Sequence, residues 1–475
     1  MKHPKALKVF FISEMFERYG FYVIQALIVL YLTKKMSFQD REAYTVLGNF
    51  VAISYIMTVF GGYLADLILG YRHAIILGGL LLFVGYTSLS LANTPEALYV
   101  ALAIVCIGTG LFKANISSFL GSIYHANDPR KDSGYTIFYI GISIGVTVST
   151  AVSGYLVKYF NWHSAFISAA LLIIIGTSFF IIFSKKYGIY DKREITKNAI
   201  RYTIAYGLIL LVLGLCVLLM FFHTVSIFFF YLICFIAAIV LYKAAKKRSI
   251  LHQKRIIAFA VLLLFSTLFW AIYFQMFFSI NLYISRLVNH NILGFSVPTP
   301  FFASLESIGI IVFGGIVSKL WQHMDQRKSP PSIALKLCIG LSLLTLTFFV
   351  LYVGLALTGA NHLVSPLWVI GAYLILSVSE LCFSPISLSM VTKLIPQEFR
   401  GVMMGILFVS AGIGGELAGA VAKFSDIPHQ FIKSDKVHSI YMHAFSYYGL
   451  TALVTTILLG LMMPLMKKLL TNHSA

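Results

Sequence analysis

Apolar runs as long as a bilayer is thick follow one another along this chain from residue 8 to residue 466. They lie at 8–33, 46–70, 73–93, 97–122, 133–158 and 163–184, then at 202–222 and 225–244. Six more lie at 257–285, 301–321, 332–356, 366–394, 400–422 and 440–466. A helix needs about 20 apolar residues to cross the hydrocarbon core, so the pattern predicts about fourteen spans. No long period-2 alternation competes with it, which excludes a membrane barrel. Only 11% of the residues are charged, against about 25% in soluble domains. The fold class is therefore an all-α polytopic membrane protein.

The runs group as six, two and six. Residues 1–184 and 257–475 read as two six-helix bundles, and 185–256 as a linker carrying a two-helix hairpin, the arrangement internal duplication produces in secondary transporters. Within 202–222 and 225–244 there is no Asp, Glu, Arg or His, and the single Lys243 stands at the end. The hairpin reads as peripheral and structural. The first run is too long for a signal peptide and contains charges, so it reads as a span.

A net charge of +19 raises the question of nucleic acid. The basic residues sit in short connections beside apolar helices, which is orientation signal and not a nucleic-acid face. With the N-terminus inside, Lys185, Lys186, Lys246, Lys247, Arg248, Arg327 and Lys328 fall on the cytoplasmic side. Fewer bases, among them Lys34, Lys35, Arg41 and Arg286, fall on the other. Both termini are expected in the cytoplasm. The five cysteines lie within apolar runs without a CxxC, so neither a disulfide framework nor a zinc site is suggested.

Charge at bilayer depth costs at least about 2.5–3.5 kcal/mol and marks function by default. The residues concerned are Glu14, Glu17 and Arg18 in the first run, Lys113 in the fourth, and Glu306 and Glu380 in the second half. At 100° per residue Glu14, Arg18, Phe21 and Gln25 form one stripe, flanked by Glu17 and Tyr22. A structural ion pair between Glu14 and Arg18 at i, i+4 would also account for two of these charges. The first half supplies bases with its acids, whereas the second supplies acids alone at depth. That field suits a zwitterion, its carboxylate toward Arg18 and Lys113 and its amine toward Glu380 and Glu306. Acids outnumber bases, so a proton is the natural coupling ion. Lys336 is expected to reach toward the cytoplasmic surface. The run "AGIGGELAG" at 411–419 reads as a tight helix-crossing surface.

"GGYLADLILGYRHA" at 61–74 resembles the loop motif between spans 2 and 3 of the major facilitator superfamily, with Asp66 and Arg72 in gating roles. Longer resemblances follow in order along the chain. "EMFERYGFY" (14–22), "GTGLFKANISS" (108–118), "KDSGYTIFYIGISIG" (131–145), "FWAIYFQMFFSINLY" (269–283), "HNILGFSV" (290–297) and "SELCFSPISLSMVTKLIPQEFRGVMMG" (379–405) resemble signatures of the proton-dependent oligopeptide transporters. The resemblance implies the major facilitator fold and bacterial di/tripeptide permeases as the nearest subgroup. It implies that Glu14, Glu17 and Arg18 couple protons and that Arg18 and Lys113 receive a peptide carboxylate. Glu380 would hold the amine, pair with Lys113 in gating, and be reached by Ser384 one turn on. Tyr22, Tyr55, Tyr139, Trp270 and Gln275 would line the pocket.

Departures from the family pattern are equally informative. The Arg–Glu pair that many members carry at the outer gate is replaced by Gln25 and Phe274. The span-5 Asn is Ser143, the span-8 Asn-Pro is Glu306–Ser307, and the span-11 Trp is Leu407. A second acid near the amine position favours a more cationic ligand. The sequence therefore reads as a proton-coupled symporter importing di- and tripeptides by alternating access. The alternative is a relative serving another amine-bearing or cationic solute, polyamine-like or a modified peptide. No Ser/His/Asp set or metal cluster stands at depth, so an enzyme is not expected, nor a cofactor beyond the proton. The expected surroundings are the bacterial inner membrane, a small solute and lipid, with no nucleic acid and a monomeric state.

Overall fold

The computed structural model describes residues 3–124, 128, 130–191, 199–246, 249–292, 294–326, 331–359, 362–428 and 436–470. Lys247, Arg248, Arg327 and Lys328 lie outside them. The chain forms α1 (Leu7–Lys34), α2 (Asp40–Leu64), α3 (Tyr71–Leu91), α4 (Pro95–Ser122), α5 (Lys131–Tyr159) and α6 (Trp162–Lys186). The hairpin helices are α7 (Ala199–Phe221) and α8 (His223–Ala245). Then come α9 (Ile250–Tyr273), α10 (Ser279–Leu287), α11 (Phe301–Asp325), α12 (Ile333–Thr358), α13 (Pro366–Leu394), α14 (Arg400–Ala422) and α15 (Lys436–Leu470). Among the described residues, 14 spans are long and apolar enough to cross a membrane.

Helix starts are set locally. Thr94 accepts from the Ala97 amide, Asn161 from Ser164 and Ser332 from Leu335, each satisfying a donor with no partner inside the helix. Gly70, with φ +75°, makes the turn into α3. There Asp191 accepts from the backbone amides of Tyr71 at 2.9 Å and Arg72 at 3.3 Å.

The structure has two compact units. The first comprises Met1–Phe38 and Asn49–Val225, the second Gln39–Gly48 and Ser226–Ala475. The division falls inside the hairpin, and the first turns of α2 belong with the second unit. In the first unit α1 packs on α5 and α6, α3 on α4 and α6, and α7 on α4. In the second, α9 packs on α14 and α15, α11 on α13, and α12 on α13 and α15.

Close approach of backbones fixes these crossings. A Cβ on Gly110 would lie 2.7 Å from Met57 Cβ, which holds α4 tight against α2. A Cβ on Gly414 would lie 2.6 Å from Trp270 Cβ, so the small-residue run of α14 does seat against α9.

The sequence reads 257–285 as one span, and the structure interrupts it. A 3-10 turn at Phe274–Met276 separates α9 from α10. Gln275 sits at the break, fully buried. Its amide donates to the carbonyls of Ala271 (3.1 Å) and Ala418 (2.9 Å), and its carbonyl accepts from Ser279 Oγ (2.7 Å). A kink needs such substitutes for lost helical hydrogen bonds. Gln275, expected beside a ligand, thus spends its polar atoms on the chain itself. Lys336 is likewise only 6% exposed, its Nζ 4.9 Å from the centre of the Trp321 ring. It makes a cation–π contact on its own unit.

Candidate functional site

In the first unit the polar stripe of α1 is buried, with Glu14 at 2%, Glu17 at 0% and Arg18 at 2% exposure. Gly145 of α5 lies against this stripe; a Cβ there would stand 3.1 Å from Arg18 Cβ. Arg18 Nε is 3.2 Å from Glu14 Oε1, and the same guanidinium hydrogen-bonds and ion-pairs with Glu17 Oε2. The i, i+4 pair exists, but it is one arm of a three-member group. Among the described residues Glu14 Oε2 and Glu17 Oε1 have no hydrogen-bond partner.

Two cations share the Phe21 ring. Arg18 Cζ lies 5.2 Å and Lys113 Nζ 5.9 Å from its centre. Lys113 Nζ is also 4.2 Å from the centre of the Tyr55 ring. An aromatic face attracts a cation without neutralising it. Tyr55, Phe21 and Lys113 form one wall. Tyr22 packs edge-on against Phe21. Gln25 is buried at 1%. Tyr139 is 40% exposed, and its carbonyl accepts from Ser143 Oγ at 3.3 Å.

In the second unit α9, α11 and α13 meet at Tyr273, Glu306 and Glu380. The Tyr273 hydroxyl is 3.0 Å from Glu306 Oε1 and hydrogen-bonds Glu380 Oε2. Ser307 Oγ donates to Glu306 Oε2 at 3.0 Å. Around Tyr273, Phe269 stacks on Phe383 with centroids 3.8 Å apart, and Trp270 meets Tyr273 edge-on at 5.2 Å. Phe274 and Leu407 are buried at 3% and 4%. Ser384, expected to hydrogen-bond Glu380, is replaced in that role by Tyr273. Sequence reasoning passes over Tyr273 because it stands in the aromatic run Phe269, Trp270, Tyr273 and Phe274, where a phenol gives no distinguishing pattern.

Asp66 and Arg72 take separate partners. Tyr71 donates to Asp66 Oδ1 at 2.8 Å, and Arg72 Nε donates to Ser184 Oγ at 3.3 Å. A buried ion pair unforeseen in the sequence lies in the second unit. Arg286 grips Asp40 with both nitrogens, at 2.6 and 2.7 Å, and also donates to the Tyr441 hydroxyl at 3.1 Å. The Ile427 amide donates to Asp40 Oδ2 at 3.3 Å, and next to it burial pushes the Asp426 carboxyl above its ordinary range. Among the described residues no group of three or more His, Cys, Asp and Glu is arranged to hold a metal.

The profile of the POT family matches residues 72–437. The chain belongs to the POT family. Dipeptide and tripeptide permease B of Photorhabdus asymbiotica is 30% identical over 99% of this chain and 97% of its own length. Among solved structures, a peptide transporter POT in complex with sulfate superposes with a TM-score of 0.86 at 28% identity, covering 99% of this chain and 96% of that one. A POT family transporter in complex with 5-aminolevulinic acid gives 0.85 at 25% identity, covering 98% and 97%. This POT family member has the major facilitator fold expected from its motifs.

Proposed function

We propose that this POT family member imports short peptides together with protons by alternating access. One observation carries the reading. The first unit presents Arg18 and Lys113 in an aromatic wall, while the second presents Glu380 and Glu306 on one phenol. A zwitterion has one end for each. Arg18 and Lys113 are assigned to the carboxylate and Glu380 to the amine, with Tyr22, Tyr55, Tyr139, Ser143, Trp270 and Leu407 as further substrate-binding residues. Glu14 and Glu17 carry the coupling proton against Arg18. Asp66 and Arg72 serve the cytoplasmic gate, and Gln25 and Phe274 the outer one. The setting is a bacterial inner membrane with both termini in the cytoplasm, a monomer acting without a cofactor beyond the proton.

A second reading is transport of another amine-bearing solute. Glu306, the second acid at the amine position, favours it, as does the relative bound to 5-aminolevulinic acid.

Competition by end-blocked peptides tests the first reading. In proteoliposomes an unmodified dipeptide should compete with a labelled one, while its N-acetyl and C-amide forms compete at least about tenfold less well, the effect of losing one interaction worth about 1.4 kcal/mol. Equal competition by all three would overturn recognition by both ends.

A further inference from the structure

The Tyr273–Glu306–Glu380 contacts contain more acceptors than hydrogens. A phenol carries one hydrogen, and an ionised carboxylate carries none. Tyr273 can therefore donate to only one of the two carboxyls it touches. With both acids ionised, the other contact would set carboxylate lone pairs against the phenol oxygen. Glu306 is 3% exposed, so water does not relieve that contact freely. A single additional hydrogen on either carboxyl turns both contacts into hydrogen bonds.

Two further groups near the pair, Ser307 and Tyr373, leave this balance unchanged. From α9 comes Tyr273, and from α11 the Ser307 hydroxyl, which donates to Glu306. From α13 come Glu380 itself and Tyr373, which lies near Glu306 but donates its hydrogen to the Met276 carbonyl at 3.2 Å. Among the described residues of this unit no Lys, Arg or His forms an ion pair with either acid.

We propose that Glu306 and Glu380 share one proton through Tyr273, and that the primary ammonium of a substrate takes its place. An ammonium has three N–H donors, enough for both carboxylates and the phenol oxygen together. The exchange balances: one ammonium enters, one proton leaves to solvent, and the charge of the site is unchanged. Glu380, only partly buried, is the point of entry. The exchange step rests on the reading that the amine docks at Glu380, whereas the shared proton does not. The site thus works against the coupling cluster of the first unit: acid favours proton loading there and opposes amine binding here. By linkage, amine affinity should fall about tenfold per pH unit on the acid side.

Infrared difference spectra of the purified, unliganded protein at neutral pH test the proton. Wild type minus Glu306→Gln should show the C=O stretch of a protonated carboxyl, and wild type minus Tyr273→Phe should show that band shifted but retained. Melting curves establish that each variant is folded. Absence of the band from both differences overturns the shared proton. Calorimetric titration with alanylalanine in buffers of different ionisation enthalpy tests the exchange. Wild type should release a proton on binding, and Glu306→Gln should not; N-acetyl-alanylalanine should release none from either. Binding without release overturns the exchange while leaving the amine assignment intact. Failure of alanylalanine to bind overturns both the assignment and the exchange, and the infrared result still decides the proton.

Discussion

Replacing Arg18 with Gln is expected to abolish proton-driven peptide uptake and to lower the melting temperature. Arg18 bonds both Glu14 and Glu17, and all three side chains are at most 3% exposed. Removing one partner of a buried ionic group costs about 3–5 kcal/mol, because the remaining charges have no solvent to turn to. In this unit the loss strands two carboxylates, and the proposed carboxylate site keeps only Lys113. Arg18→Lys should fold better than Arg18→Gln yet recover little uptake, since a point charge cannot span two carboxylates as a planar fork does. Glu17→Gln gives the complementary result. It leaves the Arg18–Glu14 pair and should keep peptide exchange across the membrane while losing accumulation driven by a pH gradient. Accumulation by Arg18→Gln at wild-type level would show that the three-member group is only structural.

The second large effect is expected at Asp40. The Arg286–Asp40 pair is bidentate, with 13% and 3% side-chain exposure, and its nitrogen–oxygen distances are those of strong charge-assisted hydrogen bonds. Asp40→Asn leaves the guanidinium charge buried with the Tyr441 hydroxyl, at a cost of about 3–5 kcal/mol. The melting temperature in detergent should fall clearly. Adding Arg286→Gln should recover part of the loss, because it removes the stranded charge, and the non-additivity of the double variant measures the coupling. An unchanged melting temperature in Asp40→Asn would mean that the pair contributes nothing to holding α2 and α10.

These residues also show where sequence reasoning reaches and where it stops. The spans were legible because lipid imposes a length and a polarity on every helix, and depth made each charge conspicuous. Glu14, Glu17 and Arg18 could be placed on one stripe because helical periodicity is local. Asp40 and Arg286 were not legible as partners. They lie 246 residues apart, and an acid at the start of α2 reads as an ordinary helix-end residue. Gln275 is expected beside a ligand on the family resemblance alone, and its part in the break at Phe274–Met276 is not legible because no Pro or Gly announces that break. Tyr273 shows the same limit. Its hydroxyl joins two acids from other helices, and only the packing of α9, α11 and α13 brings the three together.

Accumulation of a labelled dipeptide in proteoliposomes tests the central claim most directly. With an inward proton gradient and wild-type protein, the internal concentration should rise above the external one, and a protonophore should collapse it. Uptake that only equilibrates the peptide, at the same rate with and without the gradient, would contradict proton-coupled import.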